Sequence, residues 1–237
     1  QMVDVANNVE SLFSSLSRPQ VVQFAQNIRE QAASRLGEWS HAQYLNKSAA
    51  VDRFLEQGNL NVAFQLAKEL WEQCERAGAN AYPGAEYDGA VANFYLGSVL
   101  EKAGQSEQAL PFLQTARQRF LSLADAGDAD AGHMASVCLT GIGDCFSDLG
   151  RYETAAEHYQ QAIDLREKTG DLRGVAVSKG QLATLRMEQK NYSEALRLHE
   201  EAKTFFERNR EPAMVATAWH QIGRVHEQAG NYPTAEK

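Results

Sequence analysis

Three cysteines, six histidines and a surplus of carboxylates are the side chains of this 237-residue chain that could carry chemistry. Cysteines with histidines would make a zinc site or a thiol nucleophile and its base, and paired carboxylates a general acid and base. The spacing favours none of these. Cys74, Cys138 and Cys145 are odd in number and lack the CxxC pattern, so neither a disulfide framework nor a zinc site is expected, and buried free thiols are the simpler reading. Cys138 and Cys145 fall seven apart on one helix, which sets their Cα atoms about 10 Å apart, beyond the reach of a disulfide. His41, His133, His158, His199, His220 and His226 are scattered. His220 and His226, on one helix, point about 120° apart and cannot share a metal. His133 and Cys138 could pair, but no third group is placed to orient them. The sequence has no Gly-x-x-x-x-Gly-Lys-Ser/Thr phosphate loop, no His-Glu-x-x-His helix and no Gly-x-Ser-x-Gly turn. The expectation is a protein that is not an enzyme, with no catalytic residue, no metal ligand and no cofactor.

The elements that hold these side chains are helical. With 43% hydrophobic and 23% charged residues and only 5 prolines, the composition is that of a folded, helix-rich chain. The 31 acids against 23 bases leave a net charge of −8, which argues against nucleic acid, since phosphate binding needs an excess of Lys and Arg. No apolar run of about 18 residues could span a membrane, and no secretory signal opens the chain, so a cytoplasmic setting is expected.

One turn recurs five times: Gly58-Asn-Leu-Asn-Val-Ala63, Gly104-Gln-Ser-Glu-Gln-Ala109, Gly150-Arg-Tyr-Glu-Thr-Ala155, Lys190-Asn-Tyr-Ser-Glu-Ala195 and Gly230-Asn-Tyr-Pro-Thr-Ala235. Its alanines are spaced by 46, 46, 40 and 40 residues. A second element, Leu96-Gly97, Ile142-Gly143, Leu182-Ala183 and Ile222-Gly223, precedes the alanine by the same interval each time, with Ala50-Val51 in the first copy. Each unit therefore reads as two helices, A and B, joined by a tight turn. The residue opening the turn must end helix A, which a left-handed conformation does well and Gly does at no steric cost. The small residue of the Leu-Gly pair lets the two helices approach, with the alanine as the other half of that contact. Tyr152, Tyr192 and Tyr232 are placed to cover the joint between units.

These residues resemble the tetratricopeptide repeat family. Its pattern is met best at Ile142, Gly143, Phe146, Gly150, Tyr152, Ala155, Tyr159 and Ala162. The usual family period is about 34 residues, and the spacing of 40 is similar to the longer-helix subtype of kinesin light chains and bacterial STAND ATPases. The stretch from Leu165 to Leu172 resembles that subtype's inter-repeat segment. The resemblance implies an all-α fold, a right-handed α-solenoid of stacked helix-turn-helix hairpins.

The array is expected over residues 40–237, with units starting near 44, 90, 136, 176 and 216 and the last one truncated. Helix pairs are expected at about 40–57 and 60–78, 86–103 and 106–125, 130–149 and 152–168, 172–189 and 192–208, then 212–229 and a stub from 232. Residues 1–39, with helices near 3–16 and 19–36, read as an N-terminal cap, a degenerate repeat or the tail of a preceding domain. The six extra residues of the wider spacings are expected in inter-repeat loops at 79–84 and 124–130. In the first, Tyr82, Pro83 and Tyr87 could form a contact site or tuck onto the helices. The chain stops a few residues into the fifth helix B, so Trp219, Ile222 and Val225 would bury against an almost absent helix. The sequence is read as a piece of a longer protein, able to self-associate through that end.

In the family, helix A lines the concave surface. Counted from Tyr44, Ala90, Ser136, Ala176 and Ala216, the resemblance puts Leu45, Ser48, Asp52, Leu55 and Glu56 in the lining. Val91, Phe94, Ser98, Glu101 and Lys102 follow, then Val137, Thr140, Asp144, Ser147 and Asp148. The fourth and fifth units supply Val177, Gly180, Thr184, Met187 and Glu188, and Thr217, His220, Arg224, Glu227 and Gln228. Seven of these are acids and two are bases, with Leu55, Phe94 and Met187 as apolar anchors. Such a lining suits a protein or peptide ligand that is basic with apolar anchors; solvated helix faces are the alternative. The function expected is a protein-interaction scaffold, and the second reading is the sensor or regulatory arm of a multidomain enzyme, a STAND ATPase or CHAT-type protease.

Overall fold

The structure, a computed structural model, describes residues 39–231. Among the described residues nine α-helices follow one another without a strand: α1 (His41–Glu56), α2 (Leu60–Ala77), α3 (Ala85–Lys102), α4 (Ser106–Asp125), α5 (Ala129–Asp148), α6 (Tyr152–Thr169), α7 (Leu172–Glu188), α8 (Tyr192–Arg208) and α9 (Pro212–Gln228). The helices expected before residue 39, and Tyr232 and Ala235 of the fifth copy, lie outside the described residues. Each helix packs on the one before and the one after, and α1 also touches α3, α3 touches α5, and α7 touches α9. Contacts that run only between near neighbours define a solenoid.

The repeated turn folds the same way five times. Gly58, Gly104, Gly150 and Gly230 have φ of 68°, 72°, 69° and 78°, and Lys190 takes φ 61° in their place. At each, two backbone N–H groups reach back over the helix end, as when Lys190 N–H donates to Met187 O at 2.9 Å and Asn191 N–H to Arg186 O at 2.8 Å. This is the Schellman closure that a left-handed residue permits. Lys190 holds that conformation against its own side chain.

Helix A approaches helix B at the Leu-Gly pairs, although the nearest atoms are not those of the alanines. A Cβ on Gly97 would lie 2.7 Å from Leu113 Cγ, and one on Gly143 would lie 2.7 Å from Tyr159 Cε1. Leu113 and Tyr159 stand one helical turn after Ala109 and Ala155. Ala63, Ala109, Ala155 and Ala195 are themselves fully buried. Tyr192 packs with Met187 of its own unit and Val225 of the next, and so spans the joint. Tyr152 packs on the main core cluster, which runs from Tyr44 to Leu198.

The two wider spacings have different structural causes. Residues 78–84 form a loop between α2 and α3, held because Tyr82 is buried and its hydroxyl donates to Asp88 Oδ2 at 2.8 Å, beside His41 Nδ1 at 2.6 Å. Tyr82 is thus tucked in, and Tyr87 sets its edge on Phe120 at 5.4 Å. The second expected loop, at 124–130, is shorter than that. Only residues 126–128 separate α4 from α5, which are 20 residues long each, against 18 and 17 in α6 and α7. The extra residues lengthen the helices, because Leu123 and Ala124 pack with the apolar run of α5 and the helix continues to bury them. Trp219 is a second correction: Ile222 and Val225 are buried, but Trp219 is 51% exposed with the Lys203 ammonium 3.8 Å over its ring.

Candidate functional site

The residues expected to line the stripe lie at matching register positions on the odd-numbered helices. On α1 it carries Asp52 and Glu56, both exposed, and Asp52 accepts the Tyr95 hydroxyl at 2.7 Å. On α3, Phe94 packs half-buried against the core, Ser98 is half-buried, and Glu101 is partly covered. On α7, Thr184 donates to Gly180 O at 3.1 Å and Glu188 is exposed. On α9, His220 and Glu227 are exposed, and Arg224 donates to Gln221 Oε1 at 3.1 Å. Met187 departs from the expectation. It is 1% exposed and packs with Ala195 and Val225, so it is core and offers no anchor to a ligand.

The stripe is most charged where α3 meets α5. Glu101, Asp144 and Asp148 gather there in an acidic seam with Lys102 beside it. Burial pushes the Glu101 carboxyl above its usual range, and repulsion from Asp144 and Asp148 adds to this against the pull of Lys102. Burial raises Asp144 too, reinforced by Asp148, although a hydrogen bond from the Tyr159 hydroxyl at 2.6 Å and Lys102 work the other way. Asp148 accepts from Ser106 Oγ at 2.8 Å. Hydroxyl partners orient these carboxylates without neutralising them.

Acids elsewhere are treated differently. Glu69 and Glu75 on α2 meet Lys47 and Arg119 at 3.1 and 2.8 Å, and Glu194 and Glu201 on α8 meet Arg186 and Lys179 at 3.2 and 2.8 Å. Among the described residues, none of Asp52, Glu56, Glu101, Asp144, Asp148, Glu188 and Glu227 forms a salt bridge. Bases of the odd helices, Lys47, Lys179 and Arg186, thus reach across to acids of the even helices, while among the described residues the stripe acids form no salt bridge.

Between the fourth and fifth units the stripe sinks into a pocket of 180 Å³ walled by α7, α8 and α9. Val177, Gly180, Thr184 and Thr217 come from the expected stripe, but His199, Phe206, Met214 and Ala218 do not. Counting positions on helix A cannot find walls supplied by helix B and by the first turn of the next unit. The signal that was present is Gly180, a mid-helix glycine outside the Leu-Gly pattern.

Nucleophilic chemistry finds no support in the geometry. Burial pushes the thiols of Cys74, Cys138 and Cys145 each up to about 12, so they stay protonated at neutral pH. His133 Nδ1 faces Asp171 Oδ2 at 3.2 Å while Cys138 is fully buried. Among the described residues no three His, Cys, Asp or Glu side chains gather as metal ligands, and no helix is long and apolar enough to cross a membrane.

Comparison with known proteins agrees with this architecture. No curated protein matches the chain by sequence. Among solved structures, the Podosopora anserina kinesin light chain protein with nearly identical TPR-like repeats is 14% identical, with a TM-score of 0.63 over 82% of this chain and 90% of that one. A Rap protein complexed with competence and sporulation factor is 16% identical, with a TM-score of 0.68 over 81% of this chain and 51% of that one. A Pyrococcus horikoshii STAND protein with a tetratricopeptide repeat sensor is 20% identical, with a TM-score of 0.62 over 76% of this chain and 26% of that one. The family profile described as Tetratricopeptide repeat matches residues 88–168 and 174–237, more than half of the chain. With its five Schellman turns, its close helix pairs at Gly97 and Gly143 and this match, the chain belongs to the tetratricopeptide repeat family.

Proposed function

We propose that this chain is a non-catalytic interaction scaffold that holds a basic segment of a protein partner along the stripe of its odd-numbered helices. One observation carries the reading: among the described residues the stripe acids form no salt bridge while acids on α2 and α8 do, and Glu101 and Asp144 are partly buried with their charged forms disfavoured. Simple solvation would leave such carboxylates at their ordinary values. A lysine or arginine from a partner would lie among three carboxylates whose lone pairs are only partly used, and charge-assisted hydrogen bonds there are stronger than neutral ones. The Rap structure was solved with competence and sporulation factor bound, so a related fold is a ligand binder. The same face would serve if the chain is the sensor arm of a multidomain enzyme, as the repeats of the STAND protein are described.

The test is fluorescence anisotropy with degenerate peptides carrying one fixed Lys, or Glu in its place, on wild type and on the Asp144→Lys, Asp148→Lys double variant. Wild type should prefer Lys over Glu, the more so at low salt. The double variant should keep its helical melting curve and reverse the preference. Indifference to Lys or Glu in wild type would overturn the reading.

A further inference from the structure

The pocket walled by α7, α8 and α9 has features that the fold alone does not require. Gly180 lies in the middle of α7, where glycine costs about 1 kcal/mol against alanine. Six other helical glycines have a close neighbour: a Cβ on Gly89, Gly97, Gly132, Gly141, Gly143 or Gly174 would meet another side chain within 4 Å. A Cβ on Gly180 would meet nothing within 4 Å. The side chain missing there makes no room for a neighbouring helix; it makes room in the pocket.

The walls are chiefly apolar. Val177, Phe206, Met214 and Ala218 surround Gly180, and His199 lies among them, 2% exposed. Among the described residues His199 Nε2 has no hydrogen-bond partner, and burial, with Arg224 adding to it, pushes the imidazole down to about 4, so His199 carries no charge at neutral pH. The volume of 180 Å³ holds about six waters at ~30 Å³ each, enough for one bulky side chain.

One side chain links the pocket to the acidic seam. Gln181 lines the pocket and its Nε2 reaches Asp144 Oδ1 at 3.5 Å, so one side chain is a wall of both sites. An extended chain advances about 3.3 Å per residue. We propose that this pocket takes a bulky apolar side chain of the partner segment, set about one to three residues from the Lys or Arg held by Glu101, Asp144 and Asp148. This deepens the basic-ligand reading and rests on it. Charge complementarity selects the occupant: a segment laid along the seam must be basic, and its neighbouring residue meets an uncharged apolar recess.

The experiment uses degenerate peptides with a fixed Lys and, one, two or three positions away, either Leu or Ala, together with matched peptides carrying Glu for Lys. Binding to wild type and to Gly180→Leu is read by fluorescence anisotropy. At one of the three spacings wild type should bind the Leu peptide on the order of 10-fold more tightly than the Ala peptide. Gly180→Leu fills the recess from within and should erase that preference while keeping the preference for Lys over Glu. If Gly180→Leu melts early, Gly180→Ala gives the same comparison with a smaller change. Equal binding of Leu and Ala peptides to wild type, or an undiminished Leu preference in the filled variant, overturns the pocket and leaves the seam standing. Loss of the Lys-over-Glu preference in wild type overturns both. Complexes in which two protein chains share one peptide, seen as a doubled mass, would also overturn the single-chain pocket.

Discussion

Two places in the stack keep charge away from water, and they are built in opposite ways. At the junction of α5, α6 and α7, the Arg166 guanidinium is 5% exposed and has partners on every side. Its Nε donates to Ser136 Oγ at 3.1 Å, its Nη1 donates to Gly174 O at 3.1 Å and to Ser178 Oγ, and the Asp171 carboxylate lies 3.7 Å away. At the acidic seam, Glu101 and Asp144 are also partly buried, but Asp144 is held by a hydroxyl and an amide rather than a cation, and the charges nearest both mostly repel. Arg166 bolts three helices together; the seam holds charge that no salt bridge among the described residues pairs, with Lys102 the one base beside three acids. Partly buried charge is therefore not one kind of feature, and its partners decide whether it serves the fold or faces outward to a ligand.

Removing the bolt should break the comparison most strongly. Arg166→Ala leaves Ser136, Ser178 and the Gly174 carbonyl without their donor and Asp171 without its nearest buried cation. A loss of about 2–4 kcal/mol is expected in urea or thermal unfolding. A loss below ~1 kcal/mol would show that the bolt is ornamental.

Next in size is Gly174→Ala at the start of α7. The new Cβ would lie 2.1 Å from Asp171 Oδ2 and 2.7 Å from Arg166 Cδ, while Asp171 Oδ1 is already accepting the Gly174 N–H at 2.8 Å as the helix cap. Shifting Asp171 spoils the cap, so a cost of about 1–2 kcal/mol is expected.

At the seam the sign reverses. Asp144→Asn keeps an acceptor for the Tyr159 hydroxyl and removes a charge that burial and Asp148 disfavour, so stability should rise at pH 7. The raised folded value of Asp144 means that the folded protein holds this proton more tightly than the unfolded chain. Its contribution favours folding below the ordinary aspartate value of 3.8 and is lost as pH rises through the raised value. The advantage of the Asn variant should therefore shrink as pH is lowered and vanish below the ordinary value, which melting curves across that range would show. The smallest change is Gly180→Ala, whose Cβ meets open space; it should gain about 0.5–1 kcal/mol by helix propensity alone. Two glycines of one helix would then answer the same substitution with opposite signs.

Much of the fold was legible in the sequence. The five turns, the placement of nine helices within a residue or two, and Lys190 standing where glycine stands in the other copies all follow from local rules repeated at fixed intervals. The site was legible in part. Its acids could be counted along helix A, but Met187 could not be told from an anchor, because its burial depends on Val225, a residue from the following unit. Composition extends the loop of the second spacing over 124–130, and packing of Leu123 and Ala124 against α5 leaves only residues 126–128 outside the helices.

By itself the sequence determined the repeat, the left-handed turn residues, the close approach of paired helices and the acidic sign of the stripe. Each depends on residues a few positions apart along one helix or hairpin. Tertiary structure alone decided which acids find bases, which charge becomes a bolt and where the pocket opens. Those outcomes depend on side chains brought together from different helices, such as Tyr159 and Gln181 at Asp144, or His199 and Met214 across from Gly180. Hydrogen bonds and ion pairs act over a few ångströms, and only the stacking of units sets those distances.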